Sequence, residues 1–141
     1  MHVRIGALVM AHVISFITSR FDIAAEKPNP INPIAGQSVL LWLKAELLRA
    51  GYRVTEPDTE DWGWYMDVQD ADAAYLVGAS ADAEAPLAAL EWTVQLHKHR
   101  SMTDKLLGRN KMAADDRLSA LIERLIRADG AMQQISVARE A

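Results

Sequence analysis

The strict alternation of residues 90–97 is the sequence feature that most constrains the fold. Trp92, Val94 and Leu96 are apolar, and the residues between them are polar. Successive side chains of a strand point to opposite faces of a sheet, so this pattern predicts a strand with one buried and one solvated face. Antiparallel sheets commonly have this asymmetry between their two faces.

The remaining segments predict an α+β fold around that strand. Residues rich in β-branched and aromatic side chains predict further strands, and apolar residues at spacings of three and four predict helices. We therefore expect an antiparallel sheet of four to five strands with two long helices on one face, in the order β-α-β-β-β-β-α-α-β. The predicted strands are 13–23, 52–54, 62–68, 74–79, 90–97 and 135–137, the long helices run from Ser38 to Gly51 and over 113–127, and a short helix spans 101–107.

Length and composition predict a single domain over residues 1–141. Half of the residues are hydrophobic, which suffices for one core. Met10 reads as an alternative translation start, which would make part of residues 1–12 an extension outside the core. The apolar run from Ile5 to Ile17 is interrupted by His12, has no signal-peptidase site and is shorter than the ~20 residues of a membrane span. With no cysteine in the chain, we expect a cytoplasmic protein without disulfides or membrane contact.

Charged residues are segregated along the chain. Residues 54–96 contain ten acidic residues and no Lys, Arg or His, whereas 97–111 contain five basic residues and one acid. This asymmetry predicts a polarised surface or, as we favour, pairing between the two blocks. The net charge of −4 argues against general nucleic-acid binding.

The segment 56–65, EPDTEDWGWY, combines four carboxylates with three large aromatic residues. If Trp62 and Trp64 belong to one strand, they share a face and the preceding acids form a rim around them. Adjacent strand residues such as Glu60 and Asp61 point to opposite faces, so they do not make an acid/base pair across one bond. The acids also lack the spacing of a calcium loop, and we expect neither a metal nor a cofactor.

His97, His99 and Arg100 form a second group of candidate binding residues. Two histidines at a spacing of two share a face if the strand continues, which suits a two-imidazole metal site. The positive charges of Lys98 and Arg100 disfavour a cation there. An anion could instead bind with help from the N-terminus of the helix that follows Ser101.

Four motifs give the chain a family resemblance. Its segments 29–34 (NPINPI), 56–64 (EPDTEDWGW), 77–80 (VGAS) and 97–101 (HKHRS) resemble those of a group of small bacterial proteins with no assigned activity. The resemblance covers most of residues 16–137. It implies a compact bacterial α+β domain and assigns no catalytic residue.

Together these features predict a binding protein rather than an enzyme. We expect it to engage a protein partner through an acidic, Trp-bearing sheet edge and the neighbouring basic segment, and homodimerisation stays open. The alternative is a small enzyme or an anion- or metal-binding domain with a pocket at His97, His99, Asp61 and Arg100. The predicted binding residues are Glu60, Asp61, Trp62, Trp64, His97, His99 and Arg100.

Overall fold

The chain folds into an antiparallel sheet whose inner face is covered by two long helices. The computed structural model describes residues 11–86 and 90–139. The strands are β1 (Ala11–Ile17), β2 (Ile34–Ala35), β3 (Arg53–Val54), β4 (Asp58–Glu60), β5 (Gly63–Gln69), β6 (Ala74–Asp82), β7 (Glu91–Lys98) and β8 (Gln133–Arg139). The helices are α1 (Gln37–Arg49), α2 (Met102–Leu107) and α3 (Arg117–Ala128), with a single 3₁₀ turn at Ile23–Ala25.

The strand order across the sheet is β3-β5-β6-β7-β1-β8, with β2 paired to β6 and β4 paired to β5. The α+β class and the antiparallel sheet are confirmed. The predicted number of four to five strands is wrong, because the described residues form eight. The predicted element order lacks the short strands β2 and β4, which lie in proline-rich and acidic segments without a period-two pattern.

The inner face of the sheet is continuous from β5 to β1. Trp92 lies opposite Phe16 of β1, and Leu96 lies opposite Val77 of β6, and all four side chains are buried. On the helix side, Trp42 of α1 packs against Phe21. The ring of Phe21 also packs against Trp92, with 5.5 Å between the ring centroids. The predicted alternation of β7 therefore places its apolar residues in the core.

Helix α3 is joined to the same face by a buried polar network. The hydroxyl of Tyr75 in β6 donates a 2.8 Å hydrogen bond to Asp116, the N-cap of α3. One turn later, Ser119 lies 2.6 Å from Nδ1 of His12 in β1. Burial lowers the pKa of His12, and the charge of Arg139 lowers it further. These contacts give each of the four buried side chains a partner, although Nε2 of His12 has none among the described residues.

The N-terminus of α1 is capped by a side chain that lies outside the helix. Gly36 is the N-cap and makes no side-chain capping bond. Instead, the carboxylate of Glu26 accepts hydrogen bonds from the backbone N–H groups of Gly36 and Ser38 and from the Ser38 hydroxyl. A carboxylate at this position also interacts favourably with the helix dipole.

The predicted N-terminal extension falls mainly on residues 1–10, which lie outside the described residues. Ala11 and His12 are buried members of β1 and belong to the core. Within residues 11–86 and 90–139, every helix is too short or too polar to cross a membrane.

Candidate binding surfaces

The turn between β4 and β5 is clamped by the proline-rich loop. Nδ2 of Asn29 donates hydrogen bonds to the carbonyl oxygens of Glu60 and Gly63, both at 3.0 Å. Nδ2 of Asn32 donates to the carbonyl oxygen of Asp61 at 2.7 Å. Two of the motifs that carry the family resemblance, NPINPI and EPDTEDWGW, are therefore one structural unit.

The clamp uses backbone groups and leaves the carboxylates of Glu60 and Asp61 in solvent. Both residues are exposed, and neither forms an ion pair within the described part of the chain. The charge of Glu60 reaches the neighbouring strand β5. Burial raises the pKa of Tyr65, and the charges of Asp58, Asp67 and Glu60 raise it further.

The two tryptophans of the acidic segment lie on opposite faces of the sheet, so the prediction that they share one face is wrong. Trp64 lies in the core, only 4% exposed, with Nε1 donating to the carbonyl oxygen of Ile34. Trp62 is not in a strand but occupies the two-residue turn before Gly63. Its ring lies over Gly78 on the outer face, where a Cβ at Gly78 would come within 2.4 Å of the indole. Of the two, only Trp62 is placed to contact a partner.

A row of polar side chains continues from Trp62 across the outer face. The Cγ of Gln95 is also close to the Gly78 Cβ position, at 3.3 Å, and its Oε1 lies 3.3 Å from Nε2 of His97. Gln95 thus connects Trp62 to His97, and the sequence did not single it out. The available signal was its polar position in the alternation of β7, directly opposite Gly78.

The two histidines differ in environment. His97 is half-buried, and its Nδ1 has no hydrogen-bond partner among the described residues. Burial lowers the pKa of His97, and the neighbouring His99 lowers it further. His99 is exposed, with Nε2 3.9 Å from a carboxylate oxygen of Asp67. Within residues 11–86 and 90–139, three or more metal-ligating side chains do not come together at any point.

Arg100 is used to hold the chain that follows β7. Its Nε donates to the carbonyl oxygen of Arg109 at 3.0 Å, and a terminal nitrogen lies 3.4 Å from that of Asp104. These contacts fix the loop around α2. They occupy the guanidinium that the alternative function assigns to a ligand.

The structure does not bring Asp61 to the histidines. Asp61 precedes Gly63, whose Cβ position lies beside Ser80, and Ser80 pairs with Thr93 of β7. His97 is four residues further along the same strand, which corresponds to roughly 13 Å. The residues His97, His99, Asp61 and Arg100 therefore do not line one pocket.

The basic segment and half of the acidic block lie at opposite ends of the sheet. Register places five exposed acids together at the end where β5 begins, β6 ends and β7 begins. We call this group the acidic end: Glu60, Asp61, Asp82, Glu84 and Glu91. The basic segment 98–111 follows the other end of β7. In the described residues, His99 and Asp67 form the one ion pair between the two blocks, so the expected internal pairing is limited to that pair.

An open apolar groove adjoins the acidic end. It has a volume of about 460 Å³, and its lining includes Ile23, Ile31 and Ile34 together with the three prolines of segment 28–33. Ile34 pairs with Asp82 in the sheet, which places the groove directly beside the acids. Ile31 is 51% exposed, so the groove presents apolar surface to solvent.

Comparison with known proteins gives no family assignment. No protein-family model matches the chain, and no curated protein or solved structure is significantly similar to it.

Proposed function

We propose that this chain is a binding protein that is not an enzyme, and that its acidic end and the adjoining groove engage a protein partner. The partner segment carries basic and apolar side chains. The observation that supports the proposal most is the group of five exposed carboxylates with no ion-pair partner among the described residues. Complementary charge steers association and selects the partner.

The groove supplies the apolar part of such a surface. Its prolines restrict the backbone, and the Asn29 and Asn32 clamp ties the loop to the β4–β5 turn. A surface that is already ordered loses little conformational entropy when a partner binds. Trp62, half-buried at the same turn, adds an aromatic contact of the kind that carries binding energy.

Protection of the sheet edge does not account for the whole group. Charged residues such as Asp58 and Glu60 on the short edge strand β4 discourage pairing with other chains. That role requires charge on β4 alone. Asp82 belongs to β6, Glu91 belongs to β7, and Glu84 lies in the segment between them. These three acids extend the negative surface around the groove.

Charge reversal tests the proposal. Tagged wild-type protein and the double variant Glu60→Lys/Asp61→Lys are used to isolate partners, and affinity is then measured with each purified partner at two salt concentrations. Asp72→Lys, an exposed acid in the β5–β6 turn at the other end, is the matched control. We expect at least a roughly tenfold loss of affinity in the double variant, less at high salt, and none in the control. Equal binding by all three proteins would refute the proposal.

A further inference from the structure

Helix α2 presents apolar side chains to solvent. Met102, Leu106 and Leu107 are 72%, 80% and 64% exposed, and the helix has no buried residue. Met102 and Leu106 are four residues apart and share a face of the helix. Exposed apolar residues grouped in this way mark surfaces that another molecule covers.

The order of α2 does not depend on those side chains. Ser101 and Asp104 form a capping box at its N-terminus, and Gly108 ends it in the left-handed conformation with φ of 68°. Arg100 adds hydrogen bonds to the carbonyl oxygens of Asp104 in the helix and Arg109 just after it. Capping and loop contacts therefore fix the helix, and its apolar side chains are free for another role.

The surroundings of α2 are basic. Lys105 and Lys111 form no ion pair within the described residues, and Arg109 lies 3.7 Å from Asp104. Basic and apolar side chains on one ordered element are the chemistry that the acidic end and its groove would recognise. One copy cannot bring the two surfaces together, because β7 separates them by roughly 25 Å.

We propose that α2 of one molecule docks at the acidic end of a second copy of this chain. The inference rests on the proposed function and names its partner. Leu106 and Leu107 contact the groove, while Lys105 and Lys111 face the carboxylates. Contact between two α2 helices is disfavoured because their cations would repel each other. A reciprocal pair, in which each copy contributes both surfaces, closes with two-fold symmetry.

The charge pattern permits a test by complementation, with the full chain studied by sedimentation. Lys105→Glu/Lys111→Glu places acid against acid, and Glu60→Lys/Asp61→Lys places base against base. We expect wild-type protein to self-associate and each double variant alone to have a dissociation constant raised at least roughly tenfold. A mixture of the two should associate again, because the reversed charges of α2 in one variant then meet the reversed charges at residues 60 and 61 of the other. Asp72→Lys is the control and should associate like wild type.

The apolar contact is tested separately. Leu106→Ser/Leu107→Ser should raise the dissociation constant at least roughly tenfold and leave the thermal midpoint of the monomer unchanged. A lowered midpoint would show that α2 is covered within its own chain and would overturn the inference. Binding of the wild-type monomer to phosphatidylserine vesicles through these leucines would also overturn it.

A wild-type chain that stays monomeric near about 1 mM would refute self-association. If a different partner still loses affinity for Glu60→Lys/Asp61→Lys, the proposed function stands while this inference fails. Restored association in the mixture supports both.

Discussion

Asn29 provides the sharpest test of how the β4–β5 turn is held. Its side chain makes four hydrogen bonds, two donated to the turn and two accepted from the backbone of its own loop, and three of them are exposed. A hydrogen bond contributes about 0.5–1.5 kcal/mol net, with exposed bonds at the lower end. We therefore expect Asn29→Ala to lower the free energy of unfolding by about 2–3 kcal/mol.

Urea unfolding followed by tryptophan fluorescence measures this change. Asn32→Ala is the matched control, because its side chain donates a single exposed bond and should cost about 1 kcal/mol or less. Asn29→Asp keeps the accepting oxygen but turns a second oxygen toward the carbonyls of Glu60 and Gly63, so it should destabilise at least as much as alanine. A loss below about 0.5 kcal/mol for Asn29→Ala, or a stable Asn29→Asp, would refute the clamp.

Three further predictions concern the core and the outer face. Gly36→Ala should lower the free energy of unfolding in urea by at least about 2 kcal/mol, because its Cβ would lie 2.4 Å from a carbonyl oxygen of β6. The control Gly130→Ala places its Cβ in open space and should leave the free energy of unfolding unchanged. Gly78→Ala should displace the ring of Trp62, with altered tryptophan emission and a loss of about 1–2 kcal/mol; unchanged emission would contradict the contact. Since burial lowers the pKa of His12 below 6.5, the unfolded state binds more protons in acid, and the free energy of unfolding should fall as pH drops through this value. His12→Gln should reduce that slope, measured by urea unfolding at several pH values.

Period-two alternation predicted one strand well and misplaced one tryptophan, for a definite reason. In β7 the apolar residues fall in the core because the whole segment is extended. Trp62 precedes the first residue of β5, and a two-residue turn before Gly63 sends its ring to the outer face. The alternation rule holds only within a strand, so its outcome depends on a boundary that propensity does not locate to the residue.

The polar contacts that shape the candidate surface could not be predicted from the sequence. Asn29 and the β4–β5 turn are 31 residues apart, and the bond joins a side chain to a backbone carbonyl. Carbonyl oxygens belong to every residue, so no residue type at the turn marks the partner. Glu26 likewise caps helix α1 from ten residues upstream of Gly36. Such contacts appear only once the loops have been placed by the sheet.

The separation of the acidic end from the basic segment, by contrast, follows from topology that the sequence already contained. In a meander of antiparallel strands, successive connections alternate between the two ends of the sheet. Three strands, β5, β6 and β7, lie between the β4–β5 turn and the exit from β7 into α2. Each strand crosses the sheet once, so an odd number of strands places the turn and the exit at opposite ends. Nearness along the chain suggested pairing of the blocks, whereas strand parity separates the basic segment from the acidic end and leaves only the acids around the β5–β6 turn beside it. The same parity keeps the acidic end and the basic, apolar helix α2 from meeting within one molecule, which is why the proposed contact joins two copies.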